Sequence, residues 1–407
     1  MKPQFASNVP RYFVYTVLKG VAFGMITSFW LIYLTQRRGL TLTQATLVDV
    51  SFWIAATLGE IPTGVVADTM GRKASLAIGA GLMSVSVLAW AFAPTIPLIV
   101  ITYAALSLGI TFLTGADEAF FYETLQANGR SADYARLTGR VGAVMLAAMA
   151  VSNVASGLLA SVDLILPFIA AAISMMLMLG VVLTFREPHV ISKTNEASEA
   201  RPSYAQILRQ SLTIMRTRPT LRSAVLYLTI IPLAAILMET FFLQPQTLSL
   251  GVPLAAVGVV VMAVQIANML GSAWSDRIQK RFGADRTVSR APLFIIVSLL
   301  LLAALQIFPA LIFIGFISFI TSVVRPLLMS RIQAEVPDNI RATVLSMQSL
   351  MFTALFTVSE PLLGFTADHF GLSIAYVGLA AALGLLLLAL VWKRRPRPMP
   401  AALATCA

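Results

Sequence analysis

The sequence predicts an all-α polytopic membrane protein, and three observations carry that prediction. Hydrophobic residues make up 58% of the 407 residues and charged ones only 12%, too apolar for a soluble domain of ordinary composition. The apolar residues gather in runs of roughly 18 to 25, each long enough to cross a bilayer as a helix. Nearly all lysines and arginines fall in the breaks on one side of that pattern, as expected of a chain whose orientation is set by positive charge on the inner face. The formal net charge of +11 is therefore a membrane-face bias and not a nucleic-acid surface.

Taken in order, the runs place spans near 12–34, 43–67, 74–93, 97–124, 138–161, 164–185, 220–245, 253–274, 291–308, 310–330, 341–365 and 371–392. That makes about twelve helices, an even number that keeps both termini on one face. No small-residue cleavage site follows the first span, so it is expected to be retained. With both termini cytoplasmic, the inner face receives every lysine and arginine except Arg37 and Arg38, which lie outside, and Lys19 and Arg325, which fall within spans. The expectation is a multi-pass protein of the plasma (cytoplasmic) membrane. One long polar segment, 186–219, separates an N-terminal six-helix half, 1–185, from a C-terminal half with its basic tail, 220–407. Within that segment Tyr204, Ile207, Leu208, Leu212 and Met215 recur at helical spacing, which predicts an amphipathic helix lying on the cytoplasmic surface.

Between the second and third spans the chain turns through Gly64, Ala67, Asp68, Gly71, Arg72, Lys73 and Leu76. Glycine suits close helix approach and a tight turn, Asp68 ends the apolar run, and Arg72 with Lys73 fixes positive charge at the membrane face. The stretch resembles the signature loop of the major facilitator superfamily, with Thr69 standing where that family often carries arginine. The resemblance implies the superfamily's fold, two six-helix halves around a central site, and secondary transport by alternating access. It also implies a conformational role for Gly64, Asp68, Gly71, Arg72 and Lys73. An internal echo runs from Glu60 to Gly71 and again from Glu360 to Gly371, with Glu, Gly, Asp and Gly at the same offsets. Such an echo suits inverted repeats nested within two halves, and chance similarity of two helix endings competes with it.

Charges inside spans are the candidates for function, because an ion in the bilayer costs several kcal/mol unless it meets water or a partner. They are Lys19, Glu60, Asp117, Glu118, Glu239, Arg325 and Glu360, with Asp49 and Glu123 nearer an interface. Each is equally readable as half of a structural ion pair. The first span lays Tyr12, Tyr15, Lys19, Phe23, Trp30 and Tyr33 roughly along one stripe, which suits either a cavity wall or ordinary packing. The fourth offers Ser107, Thr111, Thr114 and Glu118 on one stripe, with Asp117 beside it. Both acids lie roughly 10 Å deep at 1.5 Å per residue, close to the height of Lys19, so a pair between the first and fourth spans is geometrically allowed. Asp117, Glu118, Glu239 and Glu60, in that order, are the candidate proton carriers, with Lys19 and Arg325 as charged neighbours in the cavity.

Gly115 to Leu125 resembles a segment of many superfamily members of unassigned substrate, in a drug/proton antiporter-like group. The fourth span is acidic where drug antiporters often carry arginine, and the fifth has no proline in its Gly142 to Gly157 stretch. The leading expectation is proton-coupled efflux of small amphipathic compounds, and the alternative is uptake of a sugar or other polar metabolite by symport or facilitated diffusion. No phosphate-cradling loop points to ATP, and no nucleophile–base constellation points to an enzyme. Cys406 is the single cysteine, and His189 and His369 fall in predicted loops, so no metal site is expected. No cofactor is expected beyond a proton gradient. The expected partners are a small-molecule substrate and the lipid bilayer, with no nucleic acid, and the chain is expected to act as a monomer.

Overall fold

The computed structural model describes residues 5–188, 209, 213, 219–336 and 338–392, and the regular structure among them is helical. Tyr204, Ile207, Leu208, Leu212 and Met215 of the expected amphipathic helix, His189, and the tail from Lys393 onward lie outside the described residues. Helix α1 spans Asn8–Thr27 and continues, after a 42° bend, through Trp30–Arg37. Then come α2 (Leu42–Met70), α3 (Arg72–Phe92) and α4 (Ile96–Leu113), which resumes as Ala116–Ala127. Helices α5 (Tyr134–Val162) and α6 (Leu166–Leu183) complete the first set. The second set opens with α7 (Pro219–Ile236), which runs on through Leu237–Phe242 and Leu243–Ser249, and α8 (Leu254–Phe282). It closes with α9 (Ala284–Ala304), α10 (Ile312–Glu335), α11 (Asp338–Phe370) and α12 (Leu372–Trp392). Ten of these are long and apolar enough to cross a membrane, the bent α1 makes an eleventh, and Leu372–Leu388 is a shorter apolar helix.

The ends of the helices follow from local sequence. Thr41 caps α2 by accepting the Gln44 N–H at 3.2 Å, and the Gln44 side chain returns to the Thr41 N–H at 3.1 Å, a reciprocal capping box. Gly71, at φ +94°, makes the sharp turn from α2 into α3 that a residue with a Cβ would resist. Three expectations are corrected. The ninth span begins at Ala284, not near 291, because Pro292 sits well inside the helix without ending it. The fourth is broken, since Gly115 adopts φ +78° and restarts the helix at Ala116. His369 lies in the last turn of α11 and not in a loop, its ring nitrogen bonded to the Phe365 carbonyl at 2.9 Å.

Helices α1–α6 pack among themselves, as do α7–α12, and the two sets meet chiefly along α5 with α8 and α2 with α11. Calling the face that carries the N-terminus the terminal face, the meeting points lie toward the opposite one. Along the first seam, a Cβ on Gly258 would stand 1.8 Å from the Asn153 carbonyl oxygen, so two main chains touch directly there. Along the second, the Asp368 carboxylate of α11 accepts the N–H groups of Leu42 and Thr43 at 3.0 and 2.8 Å, and the Thr43 hydroxyl at 2.6 Å. Aspartate thus meets the positive end of the α2 dipole across the boundary between the two sets. At the bend of α1, Gln244 of α7 donates to the Thr27 carbonyl at 2.9 Å and accepts the Ile32 N–H at 3.2 Å, which satisfies backbone groups that the bend releases.

Candidate functional site

The first group of candidate residues forms where α4 breaks. Because Gly115 restarts the helix, Asp117 falls in a first turn, where free N–H groups favour a carboxylate. Its Oδ1 accepts the Glu118 N–H at 2.8 Å, and its Oδ2 meets the Lys19 ammonium of α1 at 2.6 Å. The side chains are 22% and 10% exposed for Lys19 and Asp117, so the pair sits at the edge of water and is only partly screened by it. Asp117, not Glu118, is the partner of Lys19; Glu118 turns outward and is exposed. The pair and Glu118 border a cavity of about 190 Å³ whose walls include Tyr12, Tyr15, Phe121 and Tyr134. Tyr12 stacks on Phe121 at 4.3 Å between ring centres, and the Lys19 ammonium lies 6.0 Å from the Tyr15 ring centre. The buried hydroxyls of Tyr15 and Thr138 lack a hydrogen-bond partner among the described residues. The farther part of the α1 stripe does not reach this cavity: Tyr33 packs on Trp90 and Phe168, and Trp30 stacks on Tyr103.

A second group lies in the other set of helices. Glu239, in the widened Leu237–Phe242 turn of α7, accepts the Asn268 amide at 3.0 Å, and Asn268 in turn accepts the Ser322 hydroxyl at 2.8 Å. One turn before Asn268 on α8, Gln265 accepts the amide of Asn153 at 2.8 Å, which joins the two sets of helices; Asn153 also accepts the Ser28 hydroxyl at 2.9 Å. Glu60 and Arg325 belong to neither group. Both lie within spanning helices, as expected, and are exposed, and neither forms an ion pair with a described residue. Glu60 stands on the face of α2 that, nearer the opposite end, meets α11 through Trp53, so it looks along the gap between the two sets.

The signature loop forms a third group at the terminal face. Arg72 reaches back to Asp68 at 2.7 Å and sideways to Glu123 of α4 at 3.6 Å. Above the Gly71 turn sits Glu187, a residue that sequence reasoning passed over: its two oxygens accept the Arg72 and Lys73 N–H groups at 2.8 Å each. A Cβ on Gly71 would come within 3.1 Å of that carboxylate, a second reason for glycine there. Gly64 is half-buried on α2. The signal for Glu187 was an acid directly after Arg186 at the end of a span.

Two helical sets joined by paired seams, with a charged cavity in the first of them, match in pattern as well as in shape: residues 12–359 fit the Major Facilitator Superfamily. The chain belongs to that superfamily. It is a multi-pass membrane protein of a superfamily of secondary transporters, which are not enzymes. Among curated relatives, an uncharacterized MFS-type transporter, YxaM of Bacillus subtilis (strain 168), is 24% identical over 207 residues. That match covers 50% of this chain and 50% of the relative, so the chain aligns with only half of that relative's length. Among solved structures, the nucleoside transporter NupG superposes with a TM-score of 0.78 at 16% identity, over 96% of this chain and 99% of that one. A D-xylose-proton symporter gives 0.71 at 14% identity, over 96% and 97%. A bacterial homolog of the human lysosomal transporter Spinster, inward-facing and occupied, gives 0.73 at 15% identity, over 98% and 100%. At such identities the likeness is one of fold alone.

Proposed function

We propose that this superfamily member exports small amphipathic compounds in exchange for protons, with the terminal face in the cytoplasm of a cell whose plasma membrane it spans. The moving bodies are residues 1–185 and 220–407, tethered by 186–219, and the functional unit is a monomer. The observation that carries the reading is the outward-turned Glu118 beside an aromatic wall, with Asp117 neutralised by Lys19. An aromatic surface with one uncommitted carboxylate suits a compound that is part apolar and part cationic. Asp117 is committed to Lys19, whereas Glu118 beside it has no lysine of its own and is left to meet either a proton or the positive group of a cationic solute. Glu239, bonded to a neutral amide, is the counterpart in the other half.

Uptake of a polar solute is the second reading, and it has its own support in the amides and hydroxyls of Asn153, Gln265, Asn268 and Ser322, which hydrogen-bond near the middle of the protein. The nucleoside transporter and the xylose symporter among the structural neighbours handle polar solutes. Proteoliposomes with an imposed proton gradient separate the two, with amphipathic cations in one panel and nucleosides and pentoses in the other. Efflux requires that a cation of the first panel run against the proton gradient and that Glu118→Gln abolish its coupling. Solute movement in the same direction as protons, confined to the second panel, would replace export by symport.

A further inference from the structure

Two acids that the functional reading leaves unused face each other across the α2–α11 seam. Asp49 of α2 is 3% exposed and Glu360 of α11 is fully buried, and their carboxyl groups lie within hydrogen-bonding reach of one another. Asp49 is well supplied with donors: the Trp53 indole N–H reaches Oδ2 at 2.8 Å, and the Tyr103 hydroxyl of α4 reaches Oδ1 at 3.1 Å. Glu360 has none: both of its oxygens are buried, and no group among the described residues donates a hydrogen bond to them. No lysine, arginine or histidine among the described residues pairs with either acid. Of the other helices on α11, α12 directs its Tyr376 hydroxyl to Gln246 instead.

Two carboxylates cannot both be ionised in such a place, because like charges out of water repel and neither has a cation to offset the other. Two protonated acids would leave one O–H in excess of the single contact between them. One proton fits: carried by Glu360, it is donated to Asp49, whose oxygens already hold the two outside donors that stabilise an anion.

The site is enclosed on both sides along the membrane normal. Toward the terminal face, Trp53 packs on Phe356 at 4.9 Å between ring centres and on Phe352 at 6.4 Å. Toward the opposite face lie the contact of Gly364 with Thr46, where a Cβ would stand 2.9 Å from the hydroxyl, and the Asp368 cap on α2. Asp49 lies roughly 9 Å inside the start of α2, at 1.5 Å per residue from Thr43, with the aromatic rings between it and the central gap.

We propose that Asp49 and Glu360 form a proton-binding site whose single shared proton holds the α2–α11 seam shut, so that proton loss toward the opposite face opens the protein on that side. With the proton present the two helices are joined by a short hydrogen bond between acids. Without it the same atoms repel, and water entering from the nearer face solvates both carboxylates once the seam parts. Glu60, three turns along α2 toward the terminal face, and Asp368, two turns along α11 toward the opposite face, are the next charged groups on these helices, and neither touches the pair. The device is independent of cargo and of the direction of transport.

The test uses the full chain in lipid nanodiscs without any solute. Spin labels at Thr95→Cys and Leu305→Cys, in a Cys406→Ala background, report the distance between the two sets of helices on the opposite face. The native pair should show the short distance in acid, and the ratio of short to long should fall about tenfold per pH unit through the transition, as one proton demands. Glu360→Gln, which donates an N–H to Asp49 without needing a proton, should stay short at every pH. An unchanging native distance distribution, or a Glu360→Gln series that titrates like the native one, overturns the proposal. Infrared difference spectra of the native chain give a reading that needs no variant. A buried carboxylic-acid C=O band must vanish as the long distance appears, and its absence also defeats the proposal.

Discussion

One oxygen of Glu187 accepts the backbone N–H of Arg72 at 2.8 Å, tying the end of α6 to the first turn of α3. The second oxygen takes the Lys73 N–H, so a carboxylate from outside the helix does what an N-cap side chain usually does. Glu187→Ala should remove about 1–2 kcal/mol of stability, the usual worth of a helix cap. Thermal unfolding in detergent should place Glu187→Gln, which keeps one acceptor oxygen, between the native chain and the alanine variant. Equal melting of all three would mean the cap is idle.

Arg72 links Asp68 and Glu123 at the same turn, and the Asp68 side chain is 44% exposed. A pair so open to solvent is worth up to about 1 kcal/mol, so Asp68→Asn should slow solute turnover about fivefold. Gly64→Leu should slow it as well. In both, solute binding should stay within a few-fold of native when measured by equilibrium titration. A loss of binding at unchanged turnover would move the signature loop into the solute site.

Lys19→Ala leaves Asp117 without its cation, and breaking a largely buried pair costs about 3 kcal/mol or somewhat less here, given the partial exposure of the lysine. Expression and melting temperature should fall together. Lys19→Met combined with Asp117→Leu should recover both, while Lys19→Met with Glu118→Leu should not, because Glu118 is not the partner. Recovery by the second combination instead of the first would reassign the pair.

At the α5–α8 seam there is no room for a side chain on Gly258. Gly258→Ala should hold the two sets apart on the opposite face, at an overpacking cost of about 1–3 kcal/mol to the closed form. Ile32, only 1% exposed in the closed arrangement, is a suitable reporter. A thiol reagent applied from that side should label Ile32→Cys about tenfold faster in the Gly258→Ala background, the factor that 1.4 kcal/mol supplies.

The inner-face assignment has its own test. Labels at Ser192 and Ala404 should react only from the cytoplasm, and a label beside Arg38 only from outside. A reaction of either of the first two from outside would reverse the orientation that the basic residues imply.

The helical, many-span architecture was legible because apolar run length is a local property of the chain. The Lys19–Asp117 contact was legible as a possibility from depth alone, yet depth does not choose between adjacent acids. That choice rests on Gly115, whose positive φ restarts the helix and rotates Glu118 outward, a backbone event hidden in a run that reads as continuous. Glu60 and Arg325 show the reverse limit: hydropathy places a residue along the membrane normal, not around the helix with respect to neighbours that have yet to be packed. The amides of Gln244, Asn153 and Gln265 carry no charge to single them out, so their bridges between the two sets become visible only when the helices are assembled.

The two seams that shut the opposite face are chemically unlike. Along α5 and α8 the contact is main chain against main chain at Gly258 with one neutral amide pair, Asn153 and Gln265, and no ion pair among the described residues. Along α2 and α11 it consists of acids, a helix cap and packed aromatic rings. An interface of close backbone with a single neutral hydrogen bond can swivel with little change in what it touches, whereas one held by several bonds to carboxylates must break to move. The protein therefore has a hinge on one side and a latch on the other, and its opposite mouth should open as a door does, wide at the acids and hardly at all at the glycine.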